Sequence, residues 1–252
     1  MKDFILDTGF LGLEAAKRAS KAAGGHLLAV TLAPDCENYQ DLVASAAALL
    51  REMPVHKGAA RPTLRPEFAT LRAPFAGESA DPAPGHAVNA IIDLSAAHPG
   101  LTVVCLGPLT NLALAIMKDP AICQRIGRVV VAGGAQLGYN GVTATSEYNI
   151  YTDPEAAATV VSCGIPVVLI PMEASADNRA VALAWALSDN AVGETYEAFI
   201  DVDVVGSKTY GQTVIDPIGY NPINGLRHGG EKHLVVKQAD DAAVQQILGE
   251  EM

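Results

Sequence analysis

Ser146-Glu147-Tyr148-Asn149 places a carboxylate and a primary amide two residues apart. In an extended segment such a pair points to one side. There the carboxylate accepts from, and the amide donates to, a pair of vicinal hydroxyls. The other reading of the same residues is a polar loop that satisfies its own backbone. A second candidate is the turn Gly107-Pro108-Leu109-Thr110-Asn111, which follows the apolar run Leu101–Leu106. In an open α/β sheet, ligands sit at the carboxyl ends of strands. Asp7 closes the short apolar run Phe4–Leu6. Asp177 opens an apolar helical stretch, where N-capping explains it as well as a ligand role does. Other chemistries lack their motifs. Gly133-Gly134 is not the Gly-x-Gly-x-x-Gly of a dinucleotide site, and the chain has neither a Gly-x-Ser-x-Gly elbow nor a Walker loop. His228 and His233, near Arg227 and Lys232, read as a solvated loop rather than a metal site.

The elements that must position these residues alternate along the chain. Strands are predicted at Phe4–Leu6, His26–Leu32, Pro54–His56, Leu101–Leu106, Val129–Ala132, Pro166–Ile170, Phe199–Val205 and His233–Lys237. Helices are predicted at Leu13–Ala22, Tyr39–Arg51, His86–His98, Asn111–Ile122, Asp153–Ser162, Asp177–Leu187 and Asp240–Leu248. This alternation implies an α/β fold: a mostly parallel open sheet with helices on both faces, as one domain over residues 1–252. The stretch from Gly58 to Pro84 has little apolar periodicity, and so long a loop is usually functional or mobile.

Half of the 252 residues are hydrophobic, enough for a substantial core. The formal net charge of −11 argues against nucleic acid or an anionic membrane as partner and leaves a neutral small molecule or a divalent cation open. Cys36, Cys105, Cys123 and Cys163 have no zinc-site spacing. The start of the chain shows no signal-peptide pattern, and no apolar run is long enough to span a bilayer, so a cytoplasmic protein is expected.

The order and spacing of Leu106-Gly107-Pro108-Leu109-Thr110-Asn111, Gly133-Gly134 and Ser146–Ala157 resemble the inosine/uridine-preferring nucleoside hydrolase family. The resemblance covers most of the chain, and its most specific part is roughly Val103 to Pro171. It implies cleavage of the N-glycosidic bond of ribonucleosides by water. Calcium held by carboxylates and one backbone carbonyl would chelate the ribose hydroxyls and the water, and an aspartate after the first strand would act as base. The retained candidates for calcium are Asp7, Glu14, Thr110 (through its carbonyl) and Asp177. Those for the sugar are Glu147 and Asn149, with Asn140 from the reversed dipeptide Asn140-Gly141.

The departures fall on the chemistry. Against the family's Asp-x-Asp-Pro-Gly-x-Asp-Asp this chain reads Asp7-Thr8-Gly9-Phe10-Leu11-Gly12-Leu13-Glu14. Aligned without a gap, the base falls on Gly9 and the ribose-binding aspartate on Leu13. A two-residue gap matches Gly9 to the family's glycine and loses both trailing carboxylates, so in either alignment the base is absent. The histidine that protonates the leaving base in many members falls on Ala176, and the substrate-contacting asparagine after the second strand on Cys36. The family's extra helices near residues 171–176 are missing, which implies a shallower, wetter pocket. Family members are commonly dimers or tetramers, so the resemblance also implies a homo-oligomer. Asp35, Glu37 and Glu147 are the candidates for a substitute base, with Asp81 from the long loop and His86 at its end. Three readings therefore compete: a family member that holds a ribosyl ligand with hydrolysis impaired or turned to another reaction, an active hydrolase with a rearranged base, and an assembly role.

Overall fold

Short runs of Val, Ile and Leu, bounded by Gly, Pro or Asp, form the centre of one sheet. In this computed structural model residues 3–22, 26–68, 71–75, 77–136, 141–188, 192–219 and 230–249 are described. The strands are β1 (Phe4–Thr8), β2 (Leu27–Leu32), β3 (Val55–Lys57), β4 (Thr102–Cys105), β5 (Arg128–Ala132), β6 (Val167–Ile170), β7 (Glu194–Val202), β8 (Thr213–Asp216) and β9 (His233–Gln238). Their order is β3-β2-β1-β4-β5-β6-β9-β7-β8. The first seven in that order run parallel, and β7 pairs antiparallel with both β9 and β8. Every residue of β1, β4 and β6 is buried, as a strand covered on both faces requires.

The helices are α1 (Leu13–Ala22), α2 (Tyr39–Leu49), α3 (Ala87–Ala97), α4 (Thr110–Lys118), α5 (Ile122–Arg125), α6 (Tyr148–Thr152), α7 (Pro154–Ser162), α8 (Asn178–Leu187) and α9 (Asp241–Leu248). They divide between the two faces, and strand alternation decides which residues each face receives. Phe4 and Leu6 join Leu42, Trp185 and Val244 on one side. Ile5 joins Leu112, Ile122 and Val160 on the other. All of Ala180–Leu187 in α8 is buried, which suits its run of Ala, Val and Leu. Among the described residues no helix is long and apolar enough to cross a membrane.

Several boundaries differ from the sequence expectation for identifiable reasons. The single helix expected over Asn111–Ile122 is two helices, because Pro120 has no N–H to donate and its ring disfavours helical backbone at Asp119, whose φ and ψ are −138° and 88°. β7 begins at Glu194 rather than Phe199; its first residues are exposed or half-buried and carry Glu194, Thr195 and Glu197, so no apolar run announces it. His233 is no solvated-loop residue. It is buried in β9, its Nδ1 accepts from the Val167 N–H at 3.3 Å, and its Nε2 lies 2.9 Å from the Val161 carbonyl. His228 lies outside the described residues.

The described parts of the 58–84 loop are tied to the carboxyl edge of the sheet. Ala59 N–H donates to Asn111 Oδ1 at 2.9 Å, and Thr63 donates twice to Asp153, from its N–H at 2.8 Å and its hydroxyl at 2.5 Å. Asp153 also caps α7 through Ala156 N–H and accepts from the Thr110 hydroxyl at 2.6 Å. Asp153→Ala leaves all of these donors unpartnered. It is expected to lower stability by about 2 kcal/mol and to speed proteolysis within 58–68, a change that limited digestion of the folded protein reads directly.

Candidate active site at the carboxyl edge of the sheet

Asp7 lies at the end of β1 and is fully buried. Its Oδ1 accepts from the Thr31 hydroxyl at 2.6 Å and from Asn111 Nδ2 at 2.8 Å, while Oδ2 is buried without a partner. Burial pushes its carboxyl up to about 7, against the lowering effect of those two hydrogen bonds. Asp7 shares the strand face of Ile5, so it points into the layer that contains α4.

Two residues on, Gly9 adopts φ −104°, a value open to any residue. Its lack of a side chain is a matter of space, since a Cβ there would overlap the Asp35 carboxyl. Asp35, after β2, therefore fills the place where a side chain at position 9 would begin. It is fully buried, its Oδ2 accepts from Leu11 N–H at 3.4 Å, and its Oδ1 has no partner. Burial raises its pKa, opposed by the N–H groups of Phe10 and Leu11 and by the charge of Arg179. Cys36, which the alignment placed at this contact, is instead packed in the apolar layer with Leu42 and Tyr39.

Glu147 and Asn149 come together by a route other than the extended segment expected. Glu147 is the N-cap of α6, and its Oε2 accepts from the N–H groups of Asn149 (3.0 Å), Ile150 (3.3 Å) and Gly134 (3.0 Å). Gly134 reaches that carboxylate from a left-handed conformation, φ +79°, with Thr213 against its Cα, so a side chain there meets strain and crowding together. The Asn149 amide donates to the carbonyls of Ala132 (2.8 Å) and Leu106 (3.3 Å), bridging the ends of β5 and β4. Its donors are thus engaged, and the buried Oδ1, which has no partner, is what it offers a ligand. Burial raises the pKa of Glu147; the N–H groups of Asn149, Gly134 and Ile150, and the charge of Arg179, act against it.

The other sequence candidates lie elsewhere. Glu14 is exposed and lines a groove with Phe10, Leu49, Phe75 and Glu78. Asp177 caps α8 through Ala180 N–H at 3.0 Å and pairs with Arg18 at 3.6 Å on the exposed surface. Thr110 opens α4 beside Asn111, which bonds Asp7, and its hydroxyl donates to Asp153. Glu37 is exposed beside Gln40 and Arg61, and Asp81 and His86 are exposed too. Asn140 lies outside the described residues. The structure does not gather Asp7, Glu14, Thr110 and Asp177 around one point, and among the described residues no three His, Cys, Asp or Glu side chains form a metal-binding group. Calcium needs six to eight converging oxygens, and these residues do not fit it.

Two residues that sequence reasoning passed over complete the site. Tyr148 donates its hydroxyl to the Asp35 carbonyl at 2.5 Å, joining α6 to the end of β2. Arg179, in the first turn of α8, lines a cavity of 290 Å³ with Glu147, Tyr148, Met172 and Asn178. A cation immediately before the apolar stretch Ala180–Leu187 was the available signal for Arg179.

Buried carboxylates and an amide oxygen thus lie near the carboxyl ends of parallel strands in an α/β fold. The family follows from comparison. The model of the inosine-uridine preferring nucleoside hydrolases matches residues 28–181, more than half of the chain, and the chain belongs to that family. An uncharacterized protein of Schizosaccharomyces pombe is 39% identical over 137 residues, which cover 48% of this chain and 43% of that one. A pyrimidine-specific ribonucleoside hydrolase of Escherichia coli, RihB, is 37% identical over 118 residues, 46% of this chain and 37% of its own. These matches span less than half of the curated relatives' length. Among solved structures, a plant nucleoside hydrolase, PpNRh1, superposes with a TM-score of 0.81 at 22% identity, covering 98% of this chain and 97% of its own. An inosine-guanosine nucleoside hydrolase gives 0.81 at 19% identity, covering 100% and 99%. These likenesses establish the shared α/β fold.

Proposed function

We propose that this chain holds a ribosyl compound at the carboxyl edge of its sheet, with the family's calcium-assisted hydrolysis disabled. The observation that carries this reading is at Gly9. The position that the resemblance assigns to the base has no side chain, and the space it would take is filled by the carboxyl of Asp35. Glu147 and Asn149 remain as acceptors for sugar hydroxyls. Glu147 is held rigid by three backbone N–H groups, and a preorganised acceptor loses little freedom on binding.

Binding of ribose and of inosine, followed by calorimetry, tests the reading. The wild type is expected to bind a ribosyl compound. Asn149→Ala and Glu147→Gln are expected to bind at least about tenfold more weakly, the loss of one or two hydrogen bonds. Equal affinity in the variants would remove these residues from the pocket.

A second reading has one observation in its favour. Asp35 offers a buried, unpartnered oxygen beside Gly9, and burial raises its pKa. In that reading Asp35 accepts the proton of the attacking water in an active, rearranged hydrolase, and Asp35→Asn abolishes turnover.

A further inference from the structure

The pocket contains a cation supplied by the chain itself. Arg179 and Glu147 line the same 290 Å³ cavity, and Tyr148, on its wall, is bonded to the backbone of Asp35. Arg179 Nε is buried and has no hydrogen-bond partner. Among the described residues no carboxylate forms a direct ion pair with its guanidinium, yet its charge acts on both Asp35 and Glu147. A guanidinium and a carboxylate therefore line one cavity without pairing directly. A guanidinium only donates, a carboxylate and an amide oxygen only accept, and a molecule bearing several hydroxyls answers both.

We propose that Arg179 takes the place of the divalent metal ion in this chain, so that a neutral polyol such as ribose is held between its guanidinium and the Glu147 carboxylate without calcium. This rests on the ribosyl-binding reading above. Electrostatics favour it in two ways. A guanidinium lining the cavity repels a dication that enters it. Glu147, which lines the cavity with Arg179, balances the guanidinium against anionic ligands, which leaves neutral hydroxyl compounds as the matching class. Of the carboxylates that would have to bind calcium, Glu14 and Asp177 face other surfaces, and Asp7 is held in the interior by Thr31 and Asn111.

Calorimetric titration of the full chain with calcium chloride alone, and with ribose in chelator and in calcium, tests the proposal. The wild type is expected to give no saturable heat with calcium and the same ribose affinity in both buffers. Arg179→Met is expected to lose at least about tenfold in ribose affinity, with Arg179→Lys between the two. Saturable calcium binding, ribose binding that requires calcium, or full affinity in Arg179→Met would overturn it. If ribose binds in neither buffer, the ribosyl reading of the function fails, and thermal melts then decide the role of Arg179. The Arg179→Met variant should melt below the wild type at neutral pH, by a margin that calcium does not restore and that narrows as pH falls and the carboxylates its charge acts on, Asp35 and Glu147, take up protons. A margin that is absent, insensitive to pH, or erased by calcium would overturn the proposal.

Discussion

Asp7→Asn is expected to stabilise the protein above neutral pH and to flatten its stability profile between acid and neutrality. The Asp7 carboxyl rises from the usual 3.8 to about 7 in the folded chain. Between those values the native state binds a proton that the unfolded state has released, so stability falls as pH rises. The contribution is absent below 3.8 and complete above about 7; at about 1.4 kcal/mol for each pH unit it reaches about 4 kcal/mol. Asparagine keeps an acceptor for Thr31 and Asn111 and removes the buried charge. One amide N–H₂ then stands where the unpartnered Oδ2 was, so the net gain at mildly alkaline pH is about 2 kcal/mol. Urea unfolding of both proteins across this range checks the slope and the sign. A wild-type profile that rises toward neutrality, or a variant less stable in mild alkali, would contradict the burial argument.

Gly9→Asp, which places the family's base at this position under the alignment without a gap, is expected to cost about 3 kcal/mol rather than to restore hydrolysis. The new Cβ overlaps the Asp35 carboxyl, and a second carboxylate enters a site where one is already desolvated. Asp35→Ala in the same chain vacates that space. The double variant is then expected to recover about 2 kcal/mol relative to the sum of the single changes, the non-additivity of residues in contact. Denaturation of the four proteins of the cycle measures it. Additive effects would show that Asp35 does not occupy the space beside Gly9.

Much of the fold was legible because its signals are local. The runs at Val103, Val129 and Val167 could only be strands buried on both faces, and Asp-Pro at 153–154 marked a helix start that stands where expected. The site was legible in part. Glu147 and Asn149 were expected in an extended segment but stand at the start of α6; that five-residue helix is too short for its period to show, and its cap geometry is a tertiary matter. Asp35 entered only as one of several candidate bases, because nothing in Pro34-Asp35-Cys36 reveals that its carboxyl reaches back over Gly9. That contact joins residues 26 positions apart in sequence on neighbouring strands and depends on the β1–β2 register. Arg179 was missed for the same reason: its neighbours in the pocket come from α6 and from the turn after β6. Asp177 illustrates the opposite error. Its alignment to a ligand was sound as text, but the helix cap and Arg18 account for it on the surface.

The most direct test of the central claim is release of free base from a panel of purine and pyrimidine ribonucleosides at high protein concentration, with calcium and with chelator. Release no faster than without protein in either buffer is the predicted result, alongside calorimetric binding of a ribosyl compound. Calcium-dependent turnover would contradict the account, and its loss in Asp35→Asn would then identify the carboxyl beside Gly9 as the working base.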